Sequence, residues 1–236
     1  NGKIVNVYSG EIYEGGVAVS GDRIAAVGDV AYTIGENTQV IDAGGKYLTP
    51  GFIDGHIHPE STNLAIRSFA EAVLRHGTTV IMTDLHEVGV VGGLEAIEAV
   101  LKEAEATDLK LYFVVPSHVP FSPNLETSGG RFDTEIIRKA LRRPDAVGLS
   151  ECVGMYLAAG FPELLASCDA ALEQGKTLQG HLPDAAGSML NTCIAAGVST
   201  DHEALNGEEL LARLRAGCNV MMREGSSARS LNELLK

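Results

Sequence analysis

The 236 residues carry 31 acidic against 18 basic side chains, a formal net charge of −13, and 45% of them are hydrophobic. That length suits one large α/β domain, or a domain with a small appendage, and allows a sizeable core. The acidic balance disfavours a nucleic-acid backbone as partner, though not a neutral base or nucleoside, and no apolar run approaches a membrane span.

No basic-then-apolar leader opens the chain, and residue 1 is Asn. Translation is therefore expected to begin upstream, and a cytoplasmic location is the simplest expectation. Cys152, Cys168, Cys193 and Cys218 form no Cys-x-x-Cys pair, so reduced, buried thiols are expected rather than a thiolate zinc site.

In chain order, residues 1–47 show no helical period. Lys3–Tyr8, Gly16–Ser20 and Arg23–Val27 read as short strands, with Gly21-Asp22 as a turn. They are read as part of a small β-domain. From residue 48 to 236 strand-like and helical patterns alternate. Strand-like runs end near His58, Asp84, Pro116, Glu151, His181, His202 and Arg223. Amphipathic helices are predicted over 63–76, 92–106, 133–142, 162–174, 186–196 and 206–216, with a seventh from about Ser227 to the chain end. Asn206 and Glu209 form a capping arrangement for the sixth.

About seven βα units in succession predict a parallel sheet. Gly-x-Gly-x-x-Gly and Walker loops are absent, so a (β/α)8 barrel fits better than an open doubly wound sheet. In such barrels chemistry collects at the C-terminal strand ends. His56, His58, His86, His118, His181 and His202 all fall at or just past a predicted strand end, and His76 at a helix C-terminus. The run Tyr47–His58 reads as a buried strand ending in two histidines. Residues two apart on a strand share a face, so His56 and His58 aim both imidazoles at one point. Together with Glu151, His181 and His202 they make a plausible two-metal set. These imidazole and carboxylate donors suit Zn, Mn or Fe.

The stretch Pro50-Gly-Phe-Ile-Asp-Gly-His-Ile-His58 resembles the Pro-Gly-x-Ile-Asp-x-His-x-His motif of the amidohydrolase superfamily. Within that superfamily the chain looks like the bacterial and archaeal adenine deaminases. The similar stretches include His56–Ser61, His76–Thr79, Asp84–Glu87, Pro116–Pro120, Glu126–Gly129, Gly148–Glu151, Gly180–Pro183, Ser199–Glu203 and Arg223–Ser226. The resemblance implies an amidohydrolase-type (β/α)8 barrel, incomplete at its C-terminal end, beside part of a small β-sandwich domain. It implies two divalent metal ions, Mn or Fe, held by His56, His58, Glu151, His181 and His202, with Glu151 bridging. Asp84, His86 and Glu87 would bind substrate or move protons. The implied reaction is hydrolytic deamination of adenine, a small-molecule purine substrate, and the implied assembly is a homodimer. Pro59 and Leu85 depart from the resembling pattern, which bears on the pocket wall and not on the ligands. The superfamily's catalytic Asp after strand 8 has no counterpart following Arg223, so the chain is expected to be part of a longer protein. Another amidohydrolase activity, or an inactive metal-binding fragment, are the competing readings. Two further motifs fail. His86-Glu87 lacks the second His of a zinc-protease site, since Val90 stands there, and no Pro-Cys-x-x-Cys of the other deaminase type is present.

Overall fold

A computed structural model describes residues 1–122 and 125–236. The chain divides into two units, Asn1–Gly51 and Phe52–Lys236. In the first, strands β1 (Gly2–Val5), β2 (Ile12–Ser20), β3 (Arg23–Gly28) and β4 (Tyr47–Leu48) form one sheet in the order β3-β2-β1-β4. The β2–β3 hairpin turns on Gly21-Asp22, where Gly21 takes a φ of 61°. Such a backbone costs glycine nothing.

The second unit holds strands β5 (Phe52–Asp54), β6 (Thr78–Thr83), β7 (Lys110–Pro116), β8 (Ala146–Val153), β9 (Thr177–His181), β10 (Val198–Asp201) and β11 (Asn219–Val220). Its helices are α1 (Ile66–Leu74), α2 (His86–Ala104), α3 (Thr134–Leu141), α4 (Gly154–Ala158), α5 (Pro162–Glu173), α6 (Gly187–Ala195), α7 (Gly207–Arg215) and α8 (Leu231–Leu234). All seven strands are parallel and lie in sequence order from β5 to β11. This is an incomplete (β/α) barrel. The sheet curls strongly. His56, beyond β5, stacks on His202, beyond β10, with ring centroids 3.8 Å apart. Met221 Sδ lies 2.9 Å from where a Cβ on Gly55 would stand.

The helices pack apolar faces outside this sheet. Ile66, Phe69 and Ala70 of α1 bury against Ile81 of β6. Ile97 and Leu101 of α2, Ile137 and Leu141 of α3, and Leu164 and Cys168 of α5 join Phe113, Val115, Leu149 and Leu178 in the main core. Each such side chain contributes roughly 1.5–3 kcal/mol by leaving water. All four cysteines are buried and free.

Four elements differ from the sequence reading. The expected buried strand over 47–58 is two pieces, β4 and β5, because Pro50 has no N–H for a ladder. Phe52 and Ile53 are 59% and 64% exposed, since β5 is an edge strand with one neighbour. Helix α2 begins at His86 rather than 92 and is kinked at Gly93, whose φ of 67° is non-helical. The break admits the backbone of residues 129–130, whose amides donate to Val90 O at 3.0 Å, and only the part beyond it shows a clean period. Helix α4 has no expectation matching it. Its five residues are too few to show a period. Helix α8 covers Leu231–Leu234 only, because Glu224–Arg229 form a bridged turn instead.

Candidate metal centre

Three strands end in the same local device. Asp54 Oδ1 accepts from His56 N at 3.2 Å, Asp84 Oδ1 from His86 N at 3.1 Å, and Asp201 Oδ2 from Glu203 N at 3.2 Å. Each carboxylate folds the chain back over two residues, an Asx-type turn. The chain thus leaves the strand sharply, and the following side chains sit on the rim of the sheet. Histidines 56, 58, 86 and 202 all stand in or just past these turns.

Glu151 is placed differently. It lies within β8 where the register to β9 shifts, between Leu149 and Cys152. Its φ is 52°, a conformation uncommon for a non-glycine residue and characteristic of functional sites. The irregularity re-aims its side chain. Ser117 Oγ fixes the local backbone by donating to Glu151 O at 2.9 Å, and the same oxygen meets His118 Nδ1 at 2.6 Å.

Four imidazoles surround one oxygen of this residue. Glu151 Oε1 lies 3.3 Å from His56 Nε2, 3.5 Å from His58 Nε2, 3.7 Å from His202 Nε2 and 4.0 Å from His181 Nδ1. Four separate segments, within β8, at the end of β9 and just past β5 and β10, therefore meet at one point. Burial opposes a charged Glu151, but the imidazoles hold its carboxyl well below the usual range. Burial pushes the His202 pKa down, towards the neutral ring that binds metals.

Two acidic groups flank this centre. On one side His58 Nδ1 lies 3.1 Å from Asp84 Oδ1, 3.4 Å from Glu87 Oε2 and 3.9 Å from Glu60 Oε1. Burial works against a charged His58, yet Asp84, Glu151, Glu60 and Glu87 together hold it well above the ordinary histidine value. Burial pushes Glu60 up to about 7. On the other side Glu203 Oε1 lies 3.2 Å from His202 Nε2 and 3.4 Å from His181 Nδ1. Arg223 donates to both Glu203 oxygens, at 2.7 and 3.0 Å. Burial opposes ionisation of Glu203, but His202 and Arg223 bring it down to about 2.

The donor sets fit divalent cations. His56–Glu151–His202, His181–His202–Glu203 and His58–Glu60–Asp84 each offer three ligand atoms within 4.8 Å of one another. Among the described residues, Nδ1 of His58, His181 and His202, Oδ2 of Asp84 and both oxygens of Glu60 are buried without a hydrogen-bond partner. His58 Nδ1 is close to Asp84 but poorly directed for a hydrogen bond. Buried polar atoms are nearly always paired, so a set of orphans around imidazole and carboxylate is what a cation would complete.

The structure thus brings His56, His58, Glu151, His181 and His202 together, with Asp84 and Glu87 beside His58. Glu87 Oε1 accepts from Ser61 Oγ at 3.0 Å. His86 points elsewhere. Its ring meets Phe121 at 4.3 Å, as does that of His118, and Phe121 lies 6.4 Å from His181. Burial brings His118 down to about 4. The sequence reading omits Glu60, Glu203 and Arg223. Glu60 is two residues beyond His58 and Glu203 adjoins His202, so spacing to a suspected ligand was the signal for both. Arg223 ends a predicted strand-like run and opens a resembling stretch, and that position was its signal.

The family model described as "Amidohydrolase family" matches residues 47–230. An adenine deaminase of Dehalococcoides mccartyi is 42% identical over all of this chain, which covers 40% of that relative. One of Moorella thermoacetica is 40% identical, again over all of this chain and 40% of the relative. The chain thus spans about 40% of the length of the curated relatives it matches. A crystal structure of an amidohydrolase superposes with a TM-score of 0.61 at 16% identity, over 99% of this chain and 70% of that one.

Proposed function

The chain belongs to the amidohydrolase family, and on that premise we propose that its barrel carries the metal centre of a hydrolase that deaminates adenine to hypoxanthine and ammonia. The observation that carries this reading is the single oxygen, Glu151 Oε1, standing within 3.3–4.0 Å of four imidazoles. The adenine deaminases to which the chain is similar support the choice of substrate. His56, His58, Glu151, His181 and His202 would hold two divalent ions. Mn or Fe is the family expectation, and the donors also accept Zn. Such ions would supply a water nucleophile that is ionised near neutral pH.

The chain's own side chains then divide the remaining work. Hydrolysis at C6 of a purine requires a proton on the adjacent ring nitrogen and another on the departing amine. Glu87 is about half exposed. Its carboxyl, desolvation notwithstanding, is held well below the usual range by His58 and Glu60. It is an ionised acceptor that reaches open space, and Ser61 orients it. Asp84 is fully buried and lies 3.1 Å from His58 Nδ1. His86 and His118 each pack edge-on against Phe121 at 4.3 Å, and Phe121 brings a flat ring to within 6.4 Å of His181. The enzyme acts on a free purine base in the cytoplasm. No helix of the described residues is long and apolar enough to cross a membrane.

The test uses protein expressed from its complete coding sequence. Ammonia should be released from adenine in a metal-dependent manner. His181→Ala should lose metal and turnover together. Glu87→Gln should keep its metal and lose turnover by about 100-fold or more. Carboxylate production from cyclic or N-acyl amides, with no ammonia from adenine, would move the protein to another amidohydrolase reaction.

A further inference from the structure

Asp201 and Arg213 are both 0% exposed. Arg213 is the largest fully buried side chain of the unit. Two buried charges lose their hydration, and an ion pair of this kind is commonly no more stabilising than apolar groups of the same size. Its partners show what it does. Arg213 Nε donates to Asp201 Oδ2, Nη2 to Leu182 O at 2.7 Å, and Nη1 to Glu209 O at 3.2 Å. Asp201 Oδ1 accepts from Leu182 N at 3.0 Å, and its Oδ2 accepts from Glu203 N at 3.2 Å.

Apart from the tie to α7 through Glu209, every one of these bonds lands next to a residue of the centre. Leu182 follows His181 and is held at both its N–H and its C=O. Asp201 precedes His202, and Glu203 follows it. The backbone ladder does not do this job. Pairing between β9 and β10 shifts register and runs only from Val198↔Leu178 to Thr200↔Gln179, short of His181 and His202. Where the ladder stops, the side-chain pair takes over the tie between the two segments.

We propose that Asp201 and Arg213 are positioning residues of the metal centre: a buried clamp that sets the separation of His181 from His202 and Glu203. The clamp acts on backbone, touches neither metal nor substrate, and anchors the rim of the barrel to α7. This rests on the metal-binding reading above, and it predicts which residues outside the ligand set control affinity. Lysine at position 213 keeps the charge but cannot span Asp201 and the Leu182 carbonyl with a planar fork. Methionine at 213 with asparagine at 201 fills a similar volume and leaves no buried net charge.

The experiment compares wild type, Arg213→Lys and the Asp201→Asn/Arg213→Met double variant, all expressed from the complete coding sequence. Metal-free proteins are first checked by circular dichroism and thermal unfolding. Manganese and zinc affinities are then measured by chelator competition. Both variants should fold and bind metal about 10–100-fold more weakly, as loss of an outer support does. The double variant should recover the thermal stability that Arg213→Lys loses, without recovering affinity. Wild-type affinity in either folded variant would overturn the clamp and leave a purely structural ion pair. Affinity that tracks unfolding temperature across all three proteins would overturn it as well. Failure of wild type itself to bind divalent metal would overturn the metal-binding reading, which is a separate result.

Discussion

Replacing Gly180 with alanine tests how closely the rim of the barrel controls the centre. Gly180 precedes His181 in β9. A Cβ built there would lie 2.8 Å from Val198 Cγ1, 2.9 Å from Leu182 Cγ and 2.9 Å from Thr200 O. Unstrained contacts between carbon atoms need about 3.5–4.0 Å, so roughly half an ångström or more must be found on three sides. Val198 and Leu182 are buried in the core, and the third atom is a backbone carbonyl of the neighbouring strand. None is the free end of a flexible side chain. Overpacking of this kind costs about 1–3 kcal/mol. The displacement also falls one residue from a proposed ligand, and a binding constellation tolerates only about 0.5 Å of error. Gly180→Ala should therefore lower the urea midpoint of the metal-free protein and weaken metal binding by roughly tenfold or more. Gly207→Ala, where a new Cβ meets nothing within 4 Å, is the control and should leave metal affinity unchanged. Wild-type stability and affinity in Gly180→Ala would refute the reasoning, because it would mean that β9 and β10 can separate freely at the rim.

Asn206→Ala removes the side chain that accepts from Glu209 N at 3.0 Å and donates to Glu209 Oε1 at 2.7 Å. Denaturant unfolding should show a loss of about 1 kcal/mol with metal binding retained. Metal binding near neutral pH should release about one proton, since His58 is held protonated above its ordinary value and must be neutral to ligate. Calorimetry in buffers of different ionisation enthalpy reads this number, and it should fall in a Glu60→Gln/Asp84→Asn variant, which keeps only Glu151 and Glu87 of the four carboxylates that hold the charge. Removing bound metal with a chelator should lower the unfolding temperature, by about 2.7 kcal/mol of stability where free metal had stood at 100 times its dissociation constant.

The alternation of strands and helices is legible in the sequence because the two periods differ and because glycines such as Gly77, Gly175, Gly197 and Gly217 stop the helices. All four take positive φ after α1, α5, α6 and α7. The histidine rim is legible for a related reason: a polar ring at the end of an apolar run is conspicuous. The left-handed turn at Glu151 is not, since nothing local separates a glutamate in that conformation from one in a regular strand. The start of α2 is masked by Gly89, Gly92 and Gly93; of these Gly93 faces Gly130, and Gly129 and Gly130 are the residues with no room for a Cβ against the α2 backbone. Arg213 is illegible as a buried residue. In sequence it stands in the polar helix Gly207–Arg215 like any surface arginine, and the positions of Asp201 and the Leu182 carbonyl draw it inwards.

The convergence on Glu151 also bears on how the molecule reaches its native state. Each βα unit is built from neighbours in sequence, so its contacts close early and at small entropic cost. His56 and His202 come from the first and sixth strands, and their 3.8 Å stacking requires every unit between them to be docked in register. The centre is thus among the last features to form and among the first to be lost when the sheet uncurls. Signals from these imidazoles in hydrogen-exchange or refolding experiments would report completion of the whole arc, whereas the core around Phe113 and Leu149 would report its beginning.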